Sequence, residues 1–130
     1  MISVLLVDDY PPMRQLLRDI LERYPDIQIV GVVGTAEEAV AHVRTLKPTA
    51  VVIDLHLPTM TAPEATTLIK LLSPSTTVIG LTAGAREDAE KAMQDAGAAT
   101  VLSKAEVVNT LYPAIIEEGM LKKISSRLLR

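Results

Sequence analysis

Four short stretches of the 130-residue sequence carry side chains suited to chemistry at phosphorus: Asp8-Asp9, Asp54, Thr82 with Ala83, and Lys104. Three carboxylates brought within a few ångström of one another repel, and a divalent cation relieves that repulsion. Magnesium suits such a set because it prefers oxygen ligands and keeps several of its waters. A lysine opposite the acids supplies a point charge for phosphate. A threonine hydroxyl at the same rim can donate to a phosphoryl oxygen. Together these groups could carry a phosphoryl group on a carboxylate, with metal and lysine offsetting its charge. Singly, each has an ordinary explanation too. Asp54 can solvate a strand end or cap the next helix, and Asp9 can cap the helix after it. Thr82 can serve its own turn, and Lys104 can be a solvated surface charge. His56 has no partner at metal-ligand spacing and reads as a loop residue, while His42 reads as part of an exposed helix face. The set is more specific than its members because each stretch closes a separate apolar run.

Those runs must position the groups. Val51-Val52-Ile53 leads into Asp54, and Leu55-His56-Leu57-Pro58 follows. A short, wholly apolar run fits a strand buried on both faces, as in a parallel sheet. Apolar runs likewise predict strands over 2–7, 50–54, 76–81 and 98–102, and a partly alternating stretch predicts another over 27–33. Between them lie helical patterns. Met13, Leu16, Leu17, Ile20 and Leu21 make one apolar face after Tyr10-Pro11-Pro12, where prolines suit a helix start. Thr35 and Glu38 form a capping box for a helix carrying Ala39, Val40, Val43 and Leu46. A third helix begins near Thr61-Ala62-Pro63-Glu64, with Ala65, Leu68, Ile69 and Leu72 inside. A fourth, over 86–96, has only Ala89, Ala92, Met93 and Ala96 for its inner face and is weakly held. Gly97 ends it. The last helix should begin near Ala105 or later; Pro113 falls inside that span, so the helix is either kinked or begins near Asn109 with Pro113 in its first turn. Ile115, Ile116, Met120, Leu121, Ile124 and Leu128 can extend a helical stripe to the end of the sequence. Five strands alternating with five helices predict an α/β, doubly wound parallel sheet with right-handed crossovers. In such a sheet ligands sit at the carboxyl ends of the strands, where the flagged residues fall.

Composition narrows the function classes. Hydrophobic residues make up 48% of the sequence, whereas its only aromatics are three tyrosines, so Leu, Ile, Val and Ala must fill the core. No apolar run approaches the roughly 20 residues a membrane span needs. There is no cysteine, which excludes disulfides and thiolate metal sites. A cytoplasmic location with no membrane partner is expected. The net charge is −3, but the final ten residues hold Lys122, Lys123, Arg127 and Arg130 and no acid. The first 120 therefore carry nine basic against sixteen acidic groups, a balance of −7. Such a body is unsuited to direct nucleic-acid binding, which needs clustered Lys and Arg.

Nearly the whole sequence resembles the receiver domain of bacterial two-component response regulators. The resemblance rests on Val7-Asp8-Asp9, Ile53-Asp54-Leu55-His56-Leu57-Pro58, Leu81-Thr82-Ala83 and Ser103-Lys104. It implies a flavodoxin-like sheet of order 2-1-3-4-5, with Asp54 as the phosphoacceptor for a sensor histidine kinase. Asp8 and Asp9 would bind Mg2+ with Asp54 and the main-chain carbonyl of His56. Thr82 and Ala83 would hold the switch position, and Lys104 would bind the phosphate. Three positions depart from the family pattern. Ala62 stands where glycine is usual, Val101 where the switch aromatic is usual, and Ala105 where proline is common. The last departure is shared by the subfamily with LuxR-type DNA-binding output domains.

The expected function is a phosphorylation-dependent switch, not an enzyme, controlling dimerisation or an output partner in transcriptional regulation. The expected division is a receiver over 1–119 and a helical extension or linker start over 120–130. A homodimer, or a DNA-binding domain in a longer parent, would be the output partner. A second reading is a receiver-like interaction domain with altered or lost switching, prompted by Val101 and Pro113. A third is a haloacid dehalogenase-type phosphatase, although its paired acids are separated by one residue whereas Asp8 and Asp9 are adjacent.

Overall fold

The computed structural model describes residues 1–84 and 87–128. Among them, five parallel strands form one sheet in the order β2-β1-β3-β4-β5. The strands are β1 Ile2–Val7, β2 Ile27–Val33, β3 Ala50–Asp54, β4 Thr77–Thr82 and β5 Thr100–Ser103. The helices are α1 Pro11–Leu21, α2 Ala36–Leu46, α3 Ala62–Leu72, α4 Glu87–Ala96 and α5 Val107–Leu128, the last preceded by a 3-10 turn at Lys104–Glu106. The expected fold class and strand order are therefore observed. The last two strands begin and end one or two residues later than their apolar runs predict.

Strand alternation divides the core in two. Leu5, Val7, Val51, Ile53 and Val78 point to one face and pack with Ala36, Ala39 and Val43 of α2, Ala65 and Ile69 of α3, and Met93 of α4. Val4, Leu6, Val52, Ile79 and Leu81 point to the other and pack with Leu17, Ile20 and Leu21 of α1, and Val107, Leu111 and Ile115 of α5. With both faces covered, the strands need apolar residues at every position, which is why β3 and β4 read as unbroken runs. On the second face Tyr24 and Tyr112 stack at 3.6 Å between ring centroids, and the Tyr112 hydroxyl donates to Asp26 Oδ2 at 2.8 Å.

Helix starts follow the sequence signals. Pro11 and Pro12 occupy the first positions of α1, and Thr35 and Thr61 accept N–H groups from Glu38 and Glu64 at 3.1 and 3.2 Å. Tyr10 is the N-cap of α1, so Asp9 does not cap it. Gly97, with φ +110, closes α4 in a conformation that an L side chain resists.

Several inner faces differ from expectation. Leu16, Leu46 and Leu68 are exposed at the edges of their stripes. On α3 the buried position is Thr66 instead, its hydroxyl donating to the Ala62 carbonyl at 2.8 Å and facing Met93 Sδ at 3.7 Å. A threonine that bonds its own helix can enter a core that an apolar pattern would reserve for leucine. On α4 Ala92 is exposed and Met93 is the fully buried residue, so this helix hangs on one side chain. The predicted start of α4 at Arg86 lies outside the described residues.

Of the two expected starts for the last helix, the earlier one, near Ala105 or later, is observed and the Asn109 start is not. Helix α5 begins at Val107 and runs through Pro113. Burial of Val107, Leu111 and Ile115, one per turn, anchors it on both sides of the proline. Interior proline costs about 3 kcal/mol through its missing N–H and its clash with the preceding turn. Pro113 is exposed, so its removal loses little packing. Pro113→Ala should therefore stabilise the protein, by about 1–3 kcal/mol. Urea denaturation measures it, and a variant less stable than wild type would show that the proline shapes α5 to its bed.

Candidate functional site

The register of the sheet brings the flagged residues to one rim. Val7 pairs with Ile53, Asp54 with Leu81, and Thr82 with Ser103, so β1, β3, β4 and β5 end side by side. Asp8 follows β1, Asp54 ends β3, Thr82 ends β4 and Lys104 follows β5. One carboxylate oxygen from each of Asp8, Asp9 and Asp54 lies within 4.8 Å of the others. Lys104 Nζ reaches into the same group, 3.2 Å from Asp8 Oδ2 and 3.1 Å from Asp54 Oδ1. Asp8 and Asp54 are buried, at 0% and 2% exposure, whereas Asp9 is open to solvent.

Main-chain and side-chain donors orient the two buried acids. Asp8 Oδ1 accepts the Tyr10 N–H at 2.9 Å, and Asp54 Oδ1 accepts the His56 N–H at 3.1 Å. Asp8 Oδ2 is buried without a hydrogen bond of good geometry and has only the Lys104 ammonium in ion-pair range. Burial, helped by the Asp8 charge, pushes the Asp54 carboxyl above its ordinary value, against the His56 N–H and Lys104. Burial would lower Lys104, but its contacts with Asp54 and Asp8 outweigh it and hold the ammonium above its ordinary value.

The Asp54 shift has a consequence for stability without metal. A carboxyl raised on folding costs nothing below its unfolded value near pH 4 and destabilises progressively as pH rises through the folded value. Asp54→Asn should therefore melt higher than wild type at neutral pH in chelator, and the gap should close as the solution is acidified. Thermal melts across pH check this; a gap that widens on acidification would reverse the sign.

Two expected members are less engaged. The Thr82 hydroxyl donates to the Gly84 carbonyl at 2.9 Å and accepts the Gly84 N–H at 3.4 Å, as a turn residue does. It sits at the rim but contacts neither acid nor lysine. Val101 lies away from the acids, half-buried against the first core cluster. There its Cγ2, with Leu55 Cδ1 and Met93 Cε, occupies the space a Cβ on Gly80 would need, at 3.3, 2.7 and 3.1 Å. His56 is exposed in the loop, as expected, and His42 is half-buried, with Nδ1 2.8 Å from the Glu38 carbonyl.

Arg14 was not flagged from the sequence. Its guanidinium donates to the Asp8 carbonyl at 2.9 Å and tethers α1 to the end of β1. Only a basic residue on the inner half of α1 hinted at it. An open cavity of about 540 Å3 lies at the opposite end of the sheet, between the first residues of β1, β3 and β4 and the outer turns of α5. None of the rim residues lines it.

The cluster fits a hard divalent cation. Its donors are all carboxylate oxygens, one buried oxygen lacks a hydrogen bond, and Asp9 keeps an open side for water.

Comparison with known proteins gives the family. The family model for the response regulator receiver domain matches residues 4–116. A protein-glutamate methylesterase/protein-glutamine glutaminase from Syntrophus aciditrophicus is 38% identical over 114 residues, covering 86% of this chain and 33% of that protein. The chain thus spans about a third of this curated relative. The receiver domain of Thermotoga maritima CheB superimposes with a TM-score of 0.81 at 30% identity, covering 90% of this chain and 95% of that one. A LuxR-family response regulator from Aurantimonas gives a TM-score of 0.79 at 26% identity over 98% of both chains. On the family match and the shared sheet order, the chain belongs to the receiver domains of two-component response regulators.

Proposed function

We propose that this receiver is a phosphorylation-driven switch with Asp54 as its phosphoacceptor. The observation that carries the reading is the ammonium of Lys104 set between two buried carboxylates at the ends of separate strands. The donor is a phosphohistidine on a sensor histidine kinase. Both described contacts of Asp54 fall on Oδ1, which leaves Oδ2 to attack phosphorus in line. A new O–P bond forms as the P–N bond breaks, and the imidazole leaves with its electron pair and takes a proton. Asp8, Asp9, Asp54 and the His56 carbonyl would hold Mg2+, which offsets charge on the phosphoryl oxygens. Lys104 is then released from pairing two acids to pair the phosphoryl group.

The acyl phosphate adds about −2 charge where Asp54 stood. Thr82 is placed to exchange its Gly84 carbonyl for a phosphoryl oxygen. That exchange frees the turn before α4, a helix held by Met93 alone among fully buried side chains. The domain acts as a phosphoacceptor in the cytoplasm and not as an enzyme in its own right. It contacts protein partners and neither nucleic acid nor membrane. Among the described residues no helix is long and apolar enough to cross a membrane.

The receiver proper ends near residue 119, and the outer turns of α5 lead towards the output. The output belongs to a partner or to a domain in a longer parent. A methylesterase-type output follows the curated relative, and transcriptional control through a DNA-binding domain or a homodimer follows the LuxR-family likeness. Packing of Val101 beneath α4 favours one further reading, a receiver whose switch works without an aromatic rotamer. No observation favours the phosphatase alternative. Mass mapping after incubation with acetyl phosphate and Mg2+ tests the site, since a phosphoryl group on any residue but Asp54 overturns the assignment.

A further inference from the structure

The loop from Asp54 to α3 is tied at both ends. At its start the His56 N–H donates to the Asp54 carboxylate. Near its end Thr59 has φ +63, a left-handed conformation that a β-branched residue adopts only when its surroundings impose it. The surroundings here are the Glu37 carboxylate. Thr59 Oγ1 lies 3.0 and 2.7 Å from the two Glu37 oxygens, and 2.7 Å from the Pro58 carbonyl. The Thr59 hydroxyl, chiefly, with the Met60 N–H and Glu37's own N–H, holds the Glu37 carboxyl below its ordinary value. Glu37 stands in the first turn of α2, where the helix dipole also favours an acid. Burial of Ala36, Ala39 and Val43 makes α2 a rigid support. Only four residues separate Asp54 from Thr59, and two of them, Leu55 and Leu57, pack on the first core cluster.

We propose that Glu37 and Thr59 are a positioning pair that pins the β3–α3 loop to α2 and so sets both the divalent-ion affinity of the acid cluster and the lifetime of the phosphoryl group. The inference rests on the phosphoacceptor reading above. Its logic is that of an outer partner that fixes the backbone carrying a ligand. With the pair broken, the loop drifts from Asp54, and water gains access to the acyl phosphate. Attack by that water forms an O–P bond, breaks the Asp54 O–P bond, and returns free phosphate and the carboxylate.

Three measurements on Glu37→Ala, Glu37→Gln and Thr59→Gly test the pair. Glycine accepts the left-handed backbone, so Thr59→Gly removes the hydroxyl without imposing strain. In metal-free buffer, amide hydrogen exchange over residues 55–60 should quicken in Glu37→Ala and Thr59→Gly. Calorimetric titration with Mg2+ should give affinity weakened by about tenfold in both. The label left on protein phosphorylated with acetyl [32P]phosphate should decay faster in the same two. Glu37→Gln, which keeps an acceptor oxygen for Thr59, should fall between them and wild type in all three. Unchanged exchange in Glu37→Ala and Thr59→Gly overturns the pair as a loop anchor. Quickened exchange with wild-type Mg2+ affinity and lifetime overturns its influence on the site. A wild-type protein that takes no label at Asp54 overturns the phosphoacceptor reading instead, and with it the lifetime half of the proposal.

Discussion

Asp54→Asn should lose phosphoryl incorporation from acetyl phosphate and Mg2+ by more than about 10^3-fold, as removal of a nucleophile does. An amide nitrogen has no free lone pair with which to attack phosphorus, and an amide oxygen is a weak nucleophile. The substitution keeps the size of the side chain and an oxygen for the His56 N–H, so the fold should survive. Circular dichroism supplies that control. Comparable incorporation in wild type and variant would remove Asp54 from the phosphoacceptor role. Incorporation at Asp8 or Asp9 in the variant would show that the rim is reactive as a whole.

Lys104→Met should have the largest effect on stability, a loss of about 3 kcal/mol at neutral pH without metal. The lysine is the sole cation in ion-pair contact with Asp8 and Asp54 among the described residues. Its own side chain is 21% exposed, which places the loss at the lower end of what removing one partner of a buried pair costs. Removing it also takes away an influence that lowers the Asp54 carboxyl. That carboxyl then rises further, and its ionised form costs more wherever the pH exceeds its folded value. The deficit should thus be widest near neutrality and shrink as the pH falls through the folded-state values of the Asp54 carboxyl, which lie above its ordinary value. At the alkaline end the wild type loses the advantage as pH climbs through the raised folded value of Lys104. Added Mg2+ should recover part of the deficit, because a ligand that binds only the folded state stabilises it. Denaturant midpoints at several pH values provide the measurement. A variant as stable as wild type at pH 7 in chelator would mean that the ammonium gives the two carboxylates no net stabilisation.

The parts of this protein that could be read from its sequence are those written in local pattern. Unbroken apolar runs gave the strands because a sheet covered on both faces demands apolar residues throughout. Four of the five runs stopped at or beside a polar residue, and those stops located Asp8, Asp54, Thr82 and Lys104. The order of strands came from family resemblance, since alternating elements alone do not choose among doubly wound sheets. Contacts that cross between elements left no pattern. Glu37 and Thr59 are 22 residues apart and Arg14 bonds a main-chain oxygen, so no spacing rule could pair them. Thr66 was missed because its polarity is met by a carbonyl of its own helix. Helix α5 starts ahead of Asn109 because its three buried anchors, which no local pattern around Pro113 reveals, outweigh the cost of the proline. Thr82 ends β4, next to the position its apolar run marks, but its present partner, Gly84, is visible only in coordinates.

The stacked phenols of Tyr24 and Tyr112 have a use outside folding. The sequence holds one other tyrosine, Tyr10, and no tryptophan. Ultraviolet absorption and emission therefore arise at two places only. One is the α1–α5 side, where two rings shield each other, and the other is the residue whose N–H steadies Asp8. Optical signals from the native chain separate into those of the tyrosine next to the acid cluster and those of the remote stacked pair, so each place carries a reporter that needs no added dye.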